Sequence, residues 1–212
     1  MPVYLSLILL LFIAACGTVP PHLPVDEPPP LVPEVAKPDS PAPVPIKVAI
    51  ALGGGAARGF AHVGAIKALE ANGIVPDIVV GTSAGAIVGA LYAAGIDIAQ
   101  LEKIAFAIQE SQLNDWGLPD RGVIKGEALQ TMVNRAVNNL PLEKMVRPFG
   151  VVATDLRSGE RRVFRTGNTG KAVRASSAVP GVFQPVAITG REYVDGGLTS
   201  PVPVRAAREM GA

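Results

Sequence analysis

From residue 46 onward, short β-branched runs alternate with longer stretches whose apolar residues recur every three or four positions. Residues 48–52, 78–80, 149–154 and 162–165 read as strands, and a further strand ends at Asp195. Val63, Ile66 and Leu69 form one helical stripe. Ile98, Leu101, Ile104 and Ile108 form a second, and Leu129, Met132, Val133 and Val137 a third; both read as core rather than as a lipid groove. Residues 84–94 make an Ala-rich helix that ends at Gly95, and residues 202–210 make another that Gly211 would cap. This alternation predicts a three-layer α/β/α domain with a mostly parallel sheet, its ligand site at the carboxyl ends of the strands. Residues 46–212 suffice for one such domain with a full core. After the last helix an α/β chain would return with another strand, so the expectation is a carboxyl terminus that has been truncated.

The first 45 residues break the pattern. Residues 1–15 are almost wholly apolar, too short a run to span a bilayer, and match the core of a signal peptide. Ile13-Ala14-Ala15-Cys16-Gly17 resembles the bacterial lipoprotein box, with Cys16, the only cysteine, as the residue to be lipidated. Eleven of the residues from 17 to 45 are proline, which predicts an extended spacer over 16–45 that tethers the domain. The implied location is exported, in a bacterial cell envelope, with a membrane anchor at Cys16. Gly17 rather than Asp after the cysteine points to the outer membrane of a Gram-negative host.

Charge excludes one class of partner. Nineteen Lys and Arg balance eighteen Asp and Glu, and no basic run is present, so no nucleic acid partner is expected. Arg157, Arg161, Arg162 and Arg165 cluster in a predicted hairpin and read as a solvated face. Trp116, within an irregular stretch, reads either as part of a mobile flap over the site or as a packing anchor, and packing is preferred.

Three glycine-rich turns carry the candidate chemistry. Gly81-Thr82-Ser83-Ala84-Gly85 joins an apolar strand to a helix, placing Ser83 on a sharp elbow whose flanking Gly81 and Gly85 avoid clashes. Gly53-Gly54-Gly55-Ala56-Ala57-Arg58-Gly59 follows the first strand and exposes successive N–H groups. Its spacing fits neither a dinucleotide fingerprint nor a nucleotide-hydrolase phosphate loop, which leaves an oxyanion hole. Asp195 precedes Gly196-Gly197. A serine nucleophile needs a base, and only two histidines exist. His22 lies in the proline tract, and His62 reads first as a structural residue beside the glycine loop. No histidine follows Ser83, so the serine–acid–histidine order of α/β-hydrolases is absent. A Ser83–Asp195 pair is preferred, with burial raising the basicity of Asp195 above that of an ordinary carboxylate, whose pKa is about 4.

Taken together and in this order, the glycine loop, Gly-x-Ser-x-Gly elbow and Asp-Gly-Gly turn resemble the patatin-like phospholipases. The likeness runs from about Lys47 to the last residue and includes residues 58–64 and 174–181. It implies a serine lipid acyl hydrolase with a Ser–Asp dyad and no metal or other cofactor, acting on phospholipid or lysophospholipid. By motif match Ser83 is the nucleophile, Asp195 the base, and Gly54, Gly55, Ala56 and Arg58 form the oxyanion loop. Where the family pattern has a third glycine, this chain has Ala56. Two other functions remain open: a non-catalytic envelope lipoprotein that keeps the fold to bind lipid, and an acyltransferase that uses the same acyl-enzyme.

Overall fold

A computed structural model describes residues 45–107, 115–117 and 121–212. Residues 1–44, which hold the stretch read as a signal peptide, Cys16 and all but the last residue of the stretch read as a spacer, lie outside the described residues, as does Ile108 of the second stripe. The described residues form one compact unit.

Its six strands are β1 (Ala49–Leu52), β2 (Ile78–Thr82), β3 (Phe149–Asp155), β4 (Arg161–Phe164), β5 (Val186–Ile188) and β6 (Arg191–Asp195). The helices are α1 (Ala61–Ala71), α2 (Ala84–Ala93), α3 (Ile98–Ala107), α4 (Glu127–Ala136), α5 (Thr169–Ser176) and α6 (Val204–Glu209). β1, β2 and β3 run parallel. β4 and β6 join β3 antiparallel, and β5 joins β6 antiparallel. The change of direction follows from connection length. β5 returns to β6 through Thr189 and Gly190 alone, both at positive φ, and a two-residue turn of this kind makes a hairpin, never a crossover.

β2 and β3 are buried along their whole length, as strands covered on both faces must be. Ile78, Val80 and Val152 pack on one face against Ala206 and Ala207 of α6. Val79 and Val151 join the larger core on the other face, which α1 to α5 supply. α2 is nearly all small or apolar and lies close on the sheet: a Cβ at Gly89 would come 2.9 Å from the Phe149 ring. Arg161 on β4 pairs with Glu209 at 2.7 Å, tying the hairpin to α6.

The register of β3 sets the site. Val151 and Val152 pair with both β2 and β4, so those two strands lie on opposite edges of β3. Ala153 and Thr154 pair with both β4 and β6, so β6 lies on the edge that β2 occupies. β2 runs parallel to β3 and β6 antiparallel, and their carboxyl ends therefore meet head to head. Thr82 pairs with Val152 and Asp195 with the next residue, Ala153. Two residues distant by more than a hundred positions in the chain converge there.

Candidate active site

Ser83 sits between β2 and α2 with φ 53° and ψ −121°, a left-handed conformation that costs a residue with a side chain about 1–3 kcal/mol. Both flanking glycines are obligatory. A Cβ on Gly81 would lie 2.4 Å from the Gly85 carbonyl oxygen, and one on Gly85 would lie 2.2 Å from the Leu52 oxygen. The turn is held from β3 and α5 as well. The Ser83 N–H donates to Ser176 Oγ at 2.8 Å, and the buried Ser176 hydroxyl donates in turn to the Val152 carbonyl.

Asp195, 7% exposed, is positioned by three contacts. Its N–H donates to the Ala178 carbonyl at 2.9 Å, its carbonyl accepts from Thr154 Oγ1 at 2.9 Å, and its Oδ1 accepts from the Gly197 N–H at 2.6 Å. A Cβ on Gly196 would come 2.2 Å from the Val152 oxygen, so this turn also requires glycine. Burial pushes the Asp195 carboxyl above the ordinary carboxylate range; the neighbouring Ser83 hydroxyl and the Gly197 amide offset part of that rise. The direction is the one a general base for a hydroxyl requires. Thr82 Oγ1 donates to the Ser200 carbonyl at 2.9 Å, closing the acid turn onto the elbow.

The glycine loop reaches the serine from β1. A Cβ on Gly54 would stand 3.5 Å from Ser83 Cβ, and one on Gly59 would stand 2.4 Å from Ala84 Cβ, so the loop and its 3-10 turn (Ala56–Phe60) rest directly on the elbow. Not every amide of this loop is free to face the serine. The Gly54 N–H is taken by the Pro201 carbonyl at 2.9 Å and the Arg58 N–H by the Gly55 carbonyl at 3.0 Å, because the loop must satisfy its own turn. Among the described residues the N–H groups of Gly55 and Ala56 have no protein acceptor, and neither has that of Ala84, which opens α2. Ala84 is not among the loop residues named for the oxyanion, although the helix that starts there aims its N-terminus at the serine. Its signal was its position, one residue after Ser83 at a helix start. Arg58 braces the loop through its backbone, and its side chain is exposed. His62 takes the structural role: its Nε2 donates to the Gly53 carbonyl at 2.7 Å. Among the described residues no three His, Cys, Asp or Glu side chains converge as metal ligands.

A cavity of about 410 Å³ opens beside Ser83, within the usual range for small-molecule sites. Ala56 and Ala84, neighbours of Ser83 in the loop and the elbow, line it together with the apolar side chains of Leu91, Leu101, Leu129 and Met132. Leu101, Leu129 and Met132 belong to the two stripes read as core. They are packed in the core and also form the wall of this cavity. Trp116 differs from expectation too. It is 69% exposed, its strand-like pairing with Ile124 fixing its backbone while leaving the ring outside.

Residues 50–208 match the profile of the family described as patatin-like phospholipase. The chain belongs to the patatin-like phospholipase family. It is 37% identical over 160 residues to an uncharacterised NTE family protein of Mycobacterium tuberculosis, a match that covers 74% of this chain and 44% of that protein. It is 33% identical over 173 residues to human patatin-like phospholipase domain-containing protein 6, covering 78% of this chain and 13% of that protein. The chain therefore spans less than half the length of either relative. Among solved structures, VipD from Legionella pneumophila superposes with a TM-score of 0.57 at 17% identity, over 73% of this chain and 46% of that one, which is a likeness of fold.

Proposed function

We propose that this member of the family is a serine acyl hydrolase that cleaves acyl esters of phospholipid or lysophospholipid. The observation that carries the reading is Ser83, strained on its elbow beside a buried carboxyl of raised pKa, at the mouth of an apolar cavity. Ser83 Oγ attacks the ester carbonyl while Asp195 takes its proton. The N–H groups of Gly55, Ala56 and Ala84 receive the negative charge that develops on the carbonyl oxygen. Asp195 returns the proton to the departing alkoxide, leaving the acyl group on Ser83 with its chain in the cavity. Water enters, gives a proton to Asp195 and attacks the acyl carbonyl; Ser83 recovers the proton as the fatty acid leaves.

Fluorophosphonate labelling of the full chain, with the adduct located by peptide mass spectrometry, tests the reading. The expected adduct is on Ser83 and disappears in Asp195→Asn. A folded chain that stays unlabelled, or is labelled at another serine, refutes it.

The amino-terminal reading belongs to the same proposal: a signal peptide, lipidation at Cys16 and a membrane-tethered enzyme. Radiolabelled palmitate entering the native chain but not Cys16→Ser is the expected result; equal incorporation in both sinks the anchor.

A further inference from the structure

The segment Ser176-Ser177-Ala178 touches both halves of the site. Ser176 Oγ accepts the Ser83 N–H, and the Ala178 carbonyl accepts the Asp195 N–H. Ser177 stands between them and lines the cavity that Ser83 also lines. Its residue is 8% exposed, yet its Oγ is one of two buried side-chain polar atoms among the described residues without a hydrogen-bond partner, the other being Arg161 Nη1 on the far hairpin. A buried hydroxyl without a partner destabilises a fold, and alanine would fill the same space without that penalty. An acyl chain cannot satisfy this group; a polar atom brought into the cavity can.

We propose that Ser177 is a third catalytic residue, whose hydroxyl hydrogen-bonds the alcohol oxygen of the ester as it departs and the water that later takes its place. The inference rests on the acyl-hydrolase reading above. One position serves both oxygens because deacylation reverses acylation with water in place of the alcohol. In acylation the Ser83 Oγ–carbon bond forms, the carbon–alkoxy bond breaks, and the alkoxide takes the proton held by Asp195. In deacylation the water–carbon bond forms, the Oγ–carbon bond breaks, and Ser83 recovers the proton. Ser177 keeps its own proton throughout and shifts only its hydrogen bond.

Ser177→Ala, compared with the native chain on one acyl chain carried by two leaving groups, decides the matter. With a lysophosphatidylcholine, whose alkoxide is a poor leaving group, kcat/KM is expected to fall roughly 10- to 100-fold. With the p-nitrophenyl ester, whose leaving oxygen needs little help, the loss should be several times smaller. Ser177→Thr should recover part of the activity on the lysophospholipid. Thermal stability of Ser177→Ala should match or exceed that of the native chain. Equal losses on both esters, or a loss that tracks a lowered Tm, would reduce Ser177 to a structural hydroxyl and overturn the proposal. Undiminished activity on both would do the same. A native chain that neither labels at Ser83 nor hydrolyses either ester would instead bring down the acyl-hydrolase reading beneath it.

Discussion

Replacing Ser176 by alanine removes one oxygen and should damage both stability and chemistry. Ser176 is fully buried, and its Oγ accepts the Ser83 N–H while donating to Val152 O. Alanine leaves the part-buried Ser83 N–H without its acceptor and the buried Val152 carbonyl without this donor. A buried donor left unpaired costs about 1–3 kcal/mol, so a loss near 2 kcal/mol is expected. For a domain of this size that corresponds to a Tm lower by about 4–8 °C. The effect on chemistry comes through geometry. Ser83 holds a strained φ only while its surroundings insist on it, and this hydrogen bond grips the backbone nitrogen of the strained residue itself. Relaxation that moves Oγ by a fraction of an ångström should lower the labelling rate at Ser83 by roughly 10- to 100-fold. Thermal unfolding by circular dichroism and timed fluorophosphonate labelling of the same preparation measure the two effects. A Tm within about 1 °C of the native chain, with an unchanged labelling rate, would refute the argument that Ser176 holds the elbow. The neighbouring Ser177→Ala is expected to move Tm the opposite way or not at all, so the pair of variants controls for any general intolerance of the segment.

Two further outcomes are expected. Ala56 occupies φ 49°, where an L-residue pays roughly 1–2 kcal/mol that glycine does not; after allowing for glycine's freer unfolded chain, Ala56→Gly should raise Tm by about 1–4 °C, and a fall would show that the Ala56 methyl is packing usefully. In the proposed mechanism Asp195 acts as base only when ionised, so activity should decline as pH falls through a midpoint above the usual carboxylate range. Stability has the opposite slope in that window: the folded pKa exceeds the unfolded one, so the native state binds the extra proton and loses stability as pH rises through it. Asp195→Asn should abolish the stability slope, and a native pH–activity limb at or below the ordinary value for aspartate would contradict the burial argument.

What the sequence made legible was local. An elbow with glycine on both sides of Ser83, a glycine run after an apolar strand, and Asp195 before Gly196-Gly197 each carry their reason within a few residues. β2 and β3 could be read because strands buried on both faces are continuous in their apolar character. What stayed hidden depends on partners far along the chain. Thr82, Thr154 and Ser176 resemble ordinary polar residues at element ends, and only the fold shows them tying Ser83 and Asp195 together. Leu101, Leu129 and Met132 lie on helical stripes that periodicity assigns to the core, and periodicity cannot show that a cavity adjoins them. The short strand β5 is three residues long, below what alternation can reveal.

The antiparallel half of the sheet explains how this chain places an acid beside the serine without a histidine between them. In an all-parallel sheet, neighbouring strands end side by side, and an acid at the end of one reaches a serine on another only across a loop. Here β6 enters from the opposite direction on the edge that β2 vacates after Thr82, so Asp195 arrives at the register position following that of Thr82. The strand ends themselves set the approach. The same arrangement excludes water from the carboxylate, and burial is the first cause of its raised pKa. One topological feature thus supplies both proximity and basicity, and a substitution that shifted the β3–β6 register would disturb both at once. Gly196→Ala is such a change, since its Cβ would collide with Val152 O on β3. A folded Gly196→Ala chain should therefore lose labelling at Ser83 and shift its pH limb together; loss of one without the other would separate what the topology joins.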